Sequence, residues 1–158
     1  MTERIVVNTS PILTLAKMQI ADVIGKLPFE FISPAEVETE IQAGAAHGYE
    51  ITIPEWLTII PLASELSPIA VASLDSGEAA VIQLALEQNI VTVCIDELKG
   101  RRAASAVGLK VVGSLGLLGK AKTLGLISEM KPFIKKAKLG GIFYTDELIE
   151  SFLKSFGE

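Results

Sequence analysis

Four oxygen-bearing side chains stand at positions that an alternating strand and helix pattern would bring together. Asn8 follows the apolar run Ile5-Val6-Val7, Glu40 borders a helix face, Glu78 opens an apolar helix, and Asp96 follows the run Ile90 to Ile95. Taken singly, each has a local explanation. Asn8 turns the chain, Glu40 faces solvent, Glu78 completes a capping box with Asp75, and Asp96 caps the helix that begins at Leu98. Directed into one crevice, they form a cluster of carboxylates that is costly to keep charged, and a hard divalent cation is the usual relief. A set of ligands made only of oxygen favours Mg²⁺ or Mn²⁺ over Zn²⁺.

The elements that would position these groups are readable in order. Arg4 to Val7 is strand-like, and Asn8-Thr9-Ser10-Pro11 reads as a helix start with Ser10 as N-cap and Pro11 as first helical residue, giving a helix over Ile12 to Met18. A short helix around Ile20 to Gly25 leads to a strand over Phe29 to Ile32. Ser33-Pro34-Ala35-Glu36 opens a second main helix in which Val37, Ile41 and Gly44 face inward, with Glu40 beside them, Glu36 less closely and Glu38 turned away. The loop from Gly44 to Glu50 holds the single histidine, His47, read as a solvated loop residue. Trp56 to Ile60 is a further strand, and Ser67-Pro68 starts another short helix.

The centre of the pattern is LDSGEAAVIQLALEQNIVTVCIDELKGRRAA. Asp75 and Glu78 frame a capping box, and Ala79 to Glu87 is so apolar that the helix must be buried on most sides. Ile90 to Ile95 is a β-branched run of the kind covered on both faces of a parallel sheet. Asp96 and Glu97 end it, where open α/β sheets place their ligands. Lys99 to Val107 is helical and Leu109 to Val112 is a fifth strand. Ser114 to Ala121, Ser128 to Lys138 and Thr145 to Phe156 are helical, with Ser128 and Thr145 as N-caps. This predicts an α/β fold, a three-layer α/β/α sandwich on a mainly parallel central sheet with a helical C-terminal tail, in one domain over residues 1–158.

Composition removes several classes. The lone Cys94 lies inside an apolar strand, so neither a disulfide framework nor a thiolate metal site is expected. No basic leader followed by an apolar segment opens the chain and no apolar run of about 18 residues occurs, so a cytoplasmic protein without a membrane span is expected. A hydrophobic fraction of 49% leaves apolar surface to cover, which points to a homo-oligomer, a dimer in the simplest case. Gly113 to Lys120 imitates a phosphate-binding loop. Its glycines are one residue too far apart, however, and Ala121 replaces the hydroxyl that would hold Mg²⁺, so close packing of the helix on the sheet is the expected role. A receiver-like phosphoacceptor domain would need an acid beside the first strand, which Asn8 does not provide.

The net charge of −5 is unevenly spread. Lys99 to Lys138 holds ten Lys or Arg and one acid, a net +9, leaving −14 for the remainder. A basic flank beside an acidic pocket suits a polyanion held by its phosphates while carboxylate-bound metal acts on it.

The motifs NTSPILTLAK, SPAEVETEI, LDSGEAAVIQLA, CIDELKGRRAA and VVGSLGLLGKAKTLGLI cover nearly the whole chain and resemble the PIN-domain superfamily. The similarity is greatest to its prokaryotic branch of PIN-like proteins of unknown function or predicted nucleic-acid binding. The resemblance implies an α/β/α sandwich and a metal-dependent ribonuclease of RNA, including the toxin of a toxin–antitoxin pair with an antitoxin protein as partner. The family's acidic positions fall on Asn8, Glu40, Glu78 and Asp96, with Asp75 and Glu97 as auxiliaries. By this resemblance Glu78 and Asp96 hold one or two Mg²⁺ or Mn²⁺ ions, Glu40 is a ligand or orients the attacking water, and Asn8 completes the shell. Arg101, Arg102, Lys135 and Lys136 would grip phosphates. Active PIN nucleases usually have aspartate where this chain has Asn8, which supplies no charge. The alternative implied is a weakened module that binds RNA or a partner protein without cutting.

Overall fold

A computed structural model describes residues 2–46 and 51–158. His47 lies outside the described residues. The chain forms two compact units, the first of Met1–Ile12 and Pro28–Gly113, the second of Leu13–Leu27 and Ser114–Glu158.

The first unit holds every strand: β1 (Glu3–Val7), β2 (Phe29–Ser33), β3 (Leu57–Ile59), β4 (Thr92–Cys94) and β5 (Lys110–Val112). They form one all-parallel sheet in the order β3-β2-β1-β4-β5. β1 therefore stands where the strand order reverses, with Val7 opposite Cys94 of β4. The carboxyl-terminal halves of β1 and β2 and all of β4 are buried on consecutive residues, as expected of parallel strands covered on both faces. The apolar run around β4 is longer than the strand itself, because only Thr92 to Cys94 find ladder partners on β1 and β5. Parallel strands alternating with helices are the pattern of a three-layer α/β/α fold.

Four helices belong wholly to this unit: α3 (Ala35–Ala46), α4 (Pro68–Ser73), α5 (Ser76–Glu87) and α6 (Leu98–Ala106). α5 packs against β1, β4, α3, α4 and α6. Its residues from Gly77 to Ile82, together with Leu84 and Ala85, are buried, so the expected burial on most sides holds. The capping box also forms. Asp75 accepts from the Glu78 amide at 2.7 Å, and Glu78 Oε1 accepts from the Asp75 amide at 3.4 Å.

The helix α1 (Thr9–Lys17) begins earlier than the Ser-Pro signal suggests. Ser10 lies inside it rather than capping it, and its hydroxyl donates to Glu97 Oε1 at 3.1 Å. The second unit contains α2 (Ala21–Ile24), α7 (Ser114–Thr123), α8 (Lys131–Leu139) and α9 (Asp146–Ser155), with Met18, Ile24, Leu118 and Met130 among its fully buried side chains. Thr145 caps α9 as expected, accepting from the Leu148 amide. Ser128 does not cap α8. The amides of Met130 and Lys131 at its head donate instead to the carboxylate of Glu158, which also pairs with Lys122 at 2.8 Å. In the glycine-rich stretch, Gly119 is bare because the Phe156 ring lies against it. Among the described residues no helix is long and apolar enough to cross a membrane.

Candidate metal centre

The strand order places the carboxyl ends of β1 and β4 side by side at the point where connections diverge to the two edges of the sheet, the usual ligand crevice of an open α/β fold. Asn8 leaves β1 there. It is buried, its amide donates to Cys94 O at 3.0 Å, and its side-chain Oδ1 has no hydrogen-bond partner. The next residue, Thr9, donates through its hydroxyl to Glu40 Oε2 at 3.0 Å. With Ser10 on Glu97, two consecutive hydroxyls of the Asn-Thr-Ser-Pro turn thus bind two acids distant in sequence.

Three carboxylates converge. Asp75, Glu78 and Glu97 each offer an oxygen, and these oxygens lie within 4.8 Å of one another. Glu78 is only 3% exposed, whereas Asp75 and Glu97 are exposed. The capping box satisfies Glu78 Oε1 but leaves Oε2 buried without a partner. Glu40 Oε1 is in the same state. Burial pushes the carboxyl of Glu78 above the ordinary glutamate range, and the negative charges of Asp75 and Glu97 add to it. Burial raises Glu40 too; the Thr9 hydroxyl and, less strongly, the Gly77 amide oppose this, and Asp75 and Glu97 reinforce it.

Asp96 and Arg101 are placed together on the β5 side. A β-carbon on Gly113 would stand 2.9 Å from both Asp96 Oδ1 and Arg101 Nη1. Arg101 Nη1 also donates to Ile95 O at 2.8 Å. Arg101 and the exposed Arg102 line an open groove of about 610 Å³ along α6, with Leu98, Ser105 and Val111. In the second unit Lys135 lines a groove of about 350 Å³ between α8 and α9, and the Lys136 ammonium lies 5.5 Å from the centre of the Phe133 ring.

The family model for DUF3368, described as a PIN domain, matches residues 4–158. The chain belongs to the PIN-domain family. No curated protein matches it. PIN domains form a nuclease superfamily, generally dependent on divalent metals and acting on nucleic acid. In this PIN domain the donor set fits such an ion. All the available ligands are oxygens, three charged groups lie within a span that one ion with bonds of about 2.0–2.6 Å can bridge, and buried oxygens at Asn8, Glu40 and Glu78 lack partners. Cys94 does not compete, because burial keeps its thiol protonated.

Of the residues singled out in the sequence, Asp75, Glu78 and Glu97 form the tight group, and Glu40 senses the charges of Asp75 and Glu97. Asp96 is outside that group and sits with Arg101 at Gly113. Thr9 and Ser10 were not singled out as site residues. Their adjacency to Asn8 was the available signal, and the helix-start pattern accounted for it first.

Proposed function

We propose that this PIN domain is a Mg²⁺- or Mn²⁺-dependent ribonuclease whose ion is held by Asp75, Glu78 and Glu97, with Glu40 and Asn8 at the margin of the same centre. The observation that carries the reading is the group of three carboxylates within 4.8 Å at the sheet's switch point, one of them with a buried, unpartnered oxygen. A bound divalent cation supplies charge neutralisation at a phosphate and acidifies a water molecule.

The chain's own residues do the rest. Thr9 and Ser10 fix the carboxylates of Glu40 and Glu97 through their hydroxyls, and the capping box fixes Asp75 and Glu78. Arg101 spends one N–H on Ile95 O and keeps the rest of its guanidinium for a flanking phosphate, with Arg102 beside it in the α6 groove. Asp96 Oδ1, beside Gly113 with Arg101 Nη1, is the acid placed to orient that guanidinium. Lys135 and Lys136, on α8 of the second unit, are phosphate contacts of that unit in their own right. The same reading extends to the toxin of a toxin–antitoxin pair, marked by growth arrest that a neighbouring antitoxin frame relieves.

A second reading, binding without cleavage, is favoured by one residue: Asn8, buried at the end of β1 with its Oδ1 unpartnered, is a neutral amide that adds no charge toward a cation. Single-stranded RNA incubated with purified protein in Mn²⁺, Mg²⁺ or EDTA separates the two. The nuclease requires metal-dependent fragments that Glu78→Gln abolishes. RNA binding with no fragments in either metal supports the second reading and overturns the first.

A further inference from the structure

We propose that Gly77 and Gly100 are positioning residues, kept bare so that the half-buried carboxylate of Glu40 and the buried one of Glu78 can seat on the first turns of α5 and α6. Gly77 is the second residue of α5 and Gly100 the third of α6. A β-carbon on Gly77 would overlap Glu40 Oε1 and stand 2.9 Å from Glu40 Cδ. One on Gly100 would overlap Glu78 Oε2 and stand 2.9 Å from Ile95 Cγ2. Both oxygens, Glu40 Oε1 and Glu78 Oε2, are among the buried side-chain oxygens that make no well-formed hydrogen bond, and the Gly77 amide lies close enough to Glu40 to favour its charged form. The space a side chain would fill at each glycine is thus taken by a buried carboxylate oxygen.

The backbone does not demand glycine at either place. Neither residue has a positive φ, so both adopt a conformation open to any amino acid. Within a helix alanine is favoured over glycine, and a glycine retained there without a conformational reason points to its missing side chain. What the missing side chain admits is an anion. The first turn of a helix carries the positive end of the macrodipole, which favours a carboxylate lying on it, and at α5 the Gly77 amide favours the Glu40 charge as well. α5 and α6, of 12 and 9 residues, have long enough runs of aligned peptides to supply this. The seats hold Glu40 and Glu78 in place before any cation arrives. Toward the cation this rests on the metal centre proposed above, but the seating itself does not.

The experiment is a double-mutant cycle of Gly77→Ala with Glu40→Ala, measured by urea denaturation in EDTA and by calorimetric titration with Mn²⁺. Seating predicts a change of sign in EDTA. G77A lowers the urea midpoint of the wild type, where the methyl meets the carboxylate, and raises it in the E40A background, where only helix preference is left. If G77A alone fails to fold, recovery in G77A/E40A carries the same meaning, and failure of both overturns the proposal. An equal rise in both backgrounds also overturns it, whatever the metal does. In Mn²⁺, G77A and G100A should each weaken binding tenfold or more. Wild-type affinity in both variants would overturn the role toward metal. A wild type that binds no Mn²⁺ but shows the sign change would leave the seats standing and remove the metal centre.

Discussion

Replacing Glu78 with Gln preserves the shape of the side chain and removes one charge from the crowded group. Asp75 and Glu97 each bring an oxygen within 4.8 Å of the Glu78 carboxylate. At that separation two unit charges repel by about 0.9 kcal/mol in a dielectric of ~80 and by about 3.5 kcal/mol at an effective ~20. Both neighbours are exposed, so solvent screening favours the smaller figure, and relief from two of them amounts to roughly 2 kcal/mol. The capping box survives, because the Gln carbonyl still accepts from the Asp75 amide. In EDTA, Glu78→Gln should therefore melt roughly 4–8 °C above the wild type, at about 2–4 °C per kcal/mol for a domain of this size. Mn²⁺ narrows the gap. At ~100 times its dissociation constant the ion stabilises the wild type by about 2.7 kcal/mol, and the mutant gains less for want of a charged ligand. Differential scanning fluorimetry with and without Mn²⁺ reads both effects. A mutant that melts below the wild type in EDTA and takes the same Mn²⁺ shift would refute the reasoning on both counts.

Asn8→Asp adds a charge instead, so it should lower the melting temperature in EDTA and enlarge the Mn²⁺ shift; equal shifts in mutant and wild type would remove Asn8 from the centre. The raised carboxyls of Glu40 and Glu78 bind protons more tightly folded than unfolded, so their contribution to stability is present below the ordinary glutamate range and is lost as pH rises through their elevated folded values. Urea midpoints of the metal-free protein between pH 5 and 8 should accordingly fall more steeply than those of the E40Q/E78Q variant, and parallel curves would show that the two acids are not strained. Arg101→Gln with Arg102→Gln should reduce the salt slope of single-stranded RNA binding by about 0.7 for each phosphate that is no longer neutralised, whereas an unchanged slope would move the RNA away from the α6 groove.

The sheet, the buried α5 and the Asp75–Glu78 box were legible because their causes are local: apolar period, β-branched runs and cap residues three apart. The departures come where a long-range partner replaces a local one. Ser10 before Pro11 signals an N-cap, yet its hydroxyl reaches Glu97, and no pattern within a few residues records a partner so far along the chain. At α8 the expected cap Ser128 is displaced because Glu158 already accepts from the amides at the helix head. The site shows the same division. Its acids could be named from strand ends and helix starts, but their grouping could not, since it depends on which way each side chain leaves the strand end. Asp96 and Glu97 are neighbours in sequence. One sits with Arg101, and the other with Asp75 and Glu78.

The central position of β1 has a consequence for how the protein is made. β1 leaves the ribosome before the other strands of the sheet, but its neighbour on one side is β4, where Ile5 pairs with Thr92. About 90 residues separate the two, so at ~5–20 residues per second the strand waits about 5–20 s for that partner to be synthesised. β2 arrives sooner and can pair first. Glu97 lies beyond β4, so no nascent chain that stops before it can assemble the carboxylate group, and any nuclease activity that depends on the group is deferred until then. Pulse proteolysis of ribosome-bound chains of increasing length would register this as a second step in the protection of β1, beyond any given by β2, once β4 has emerged from the exit tunnel.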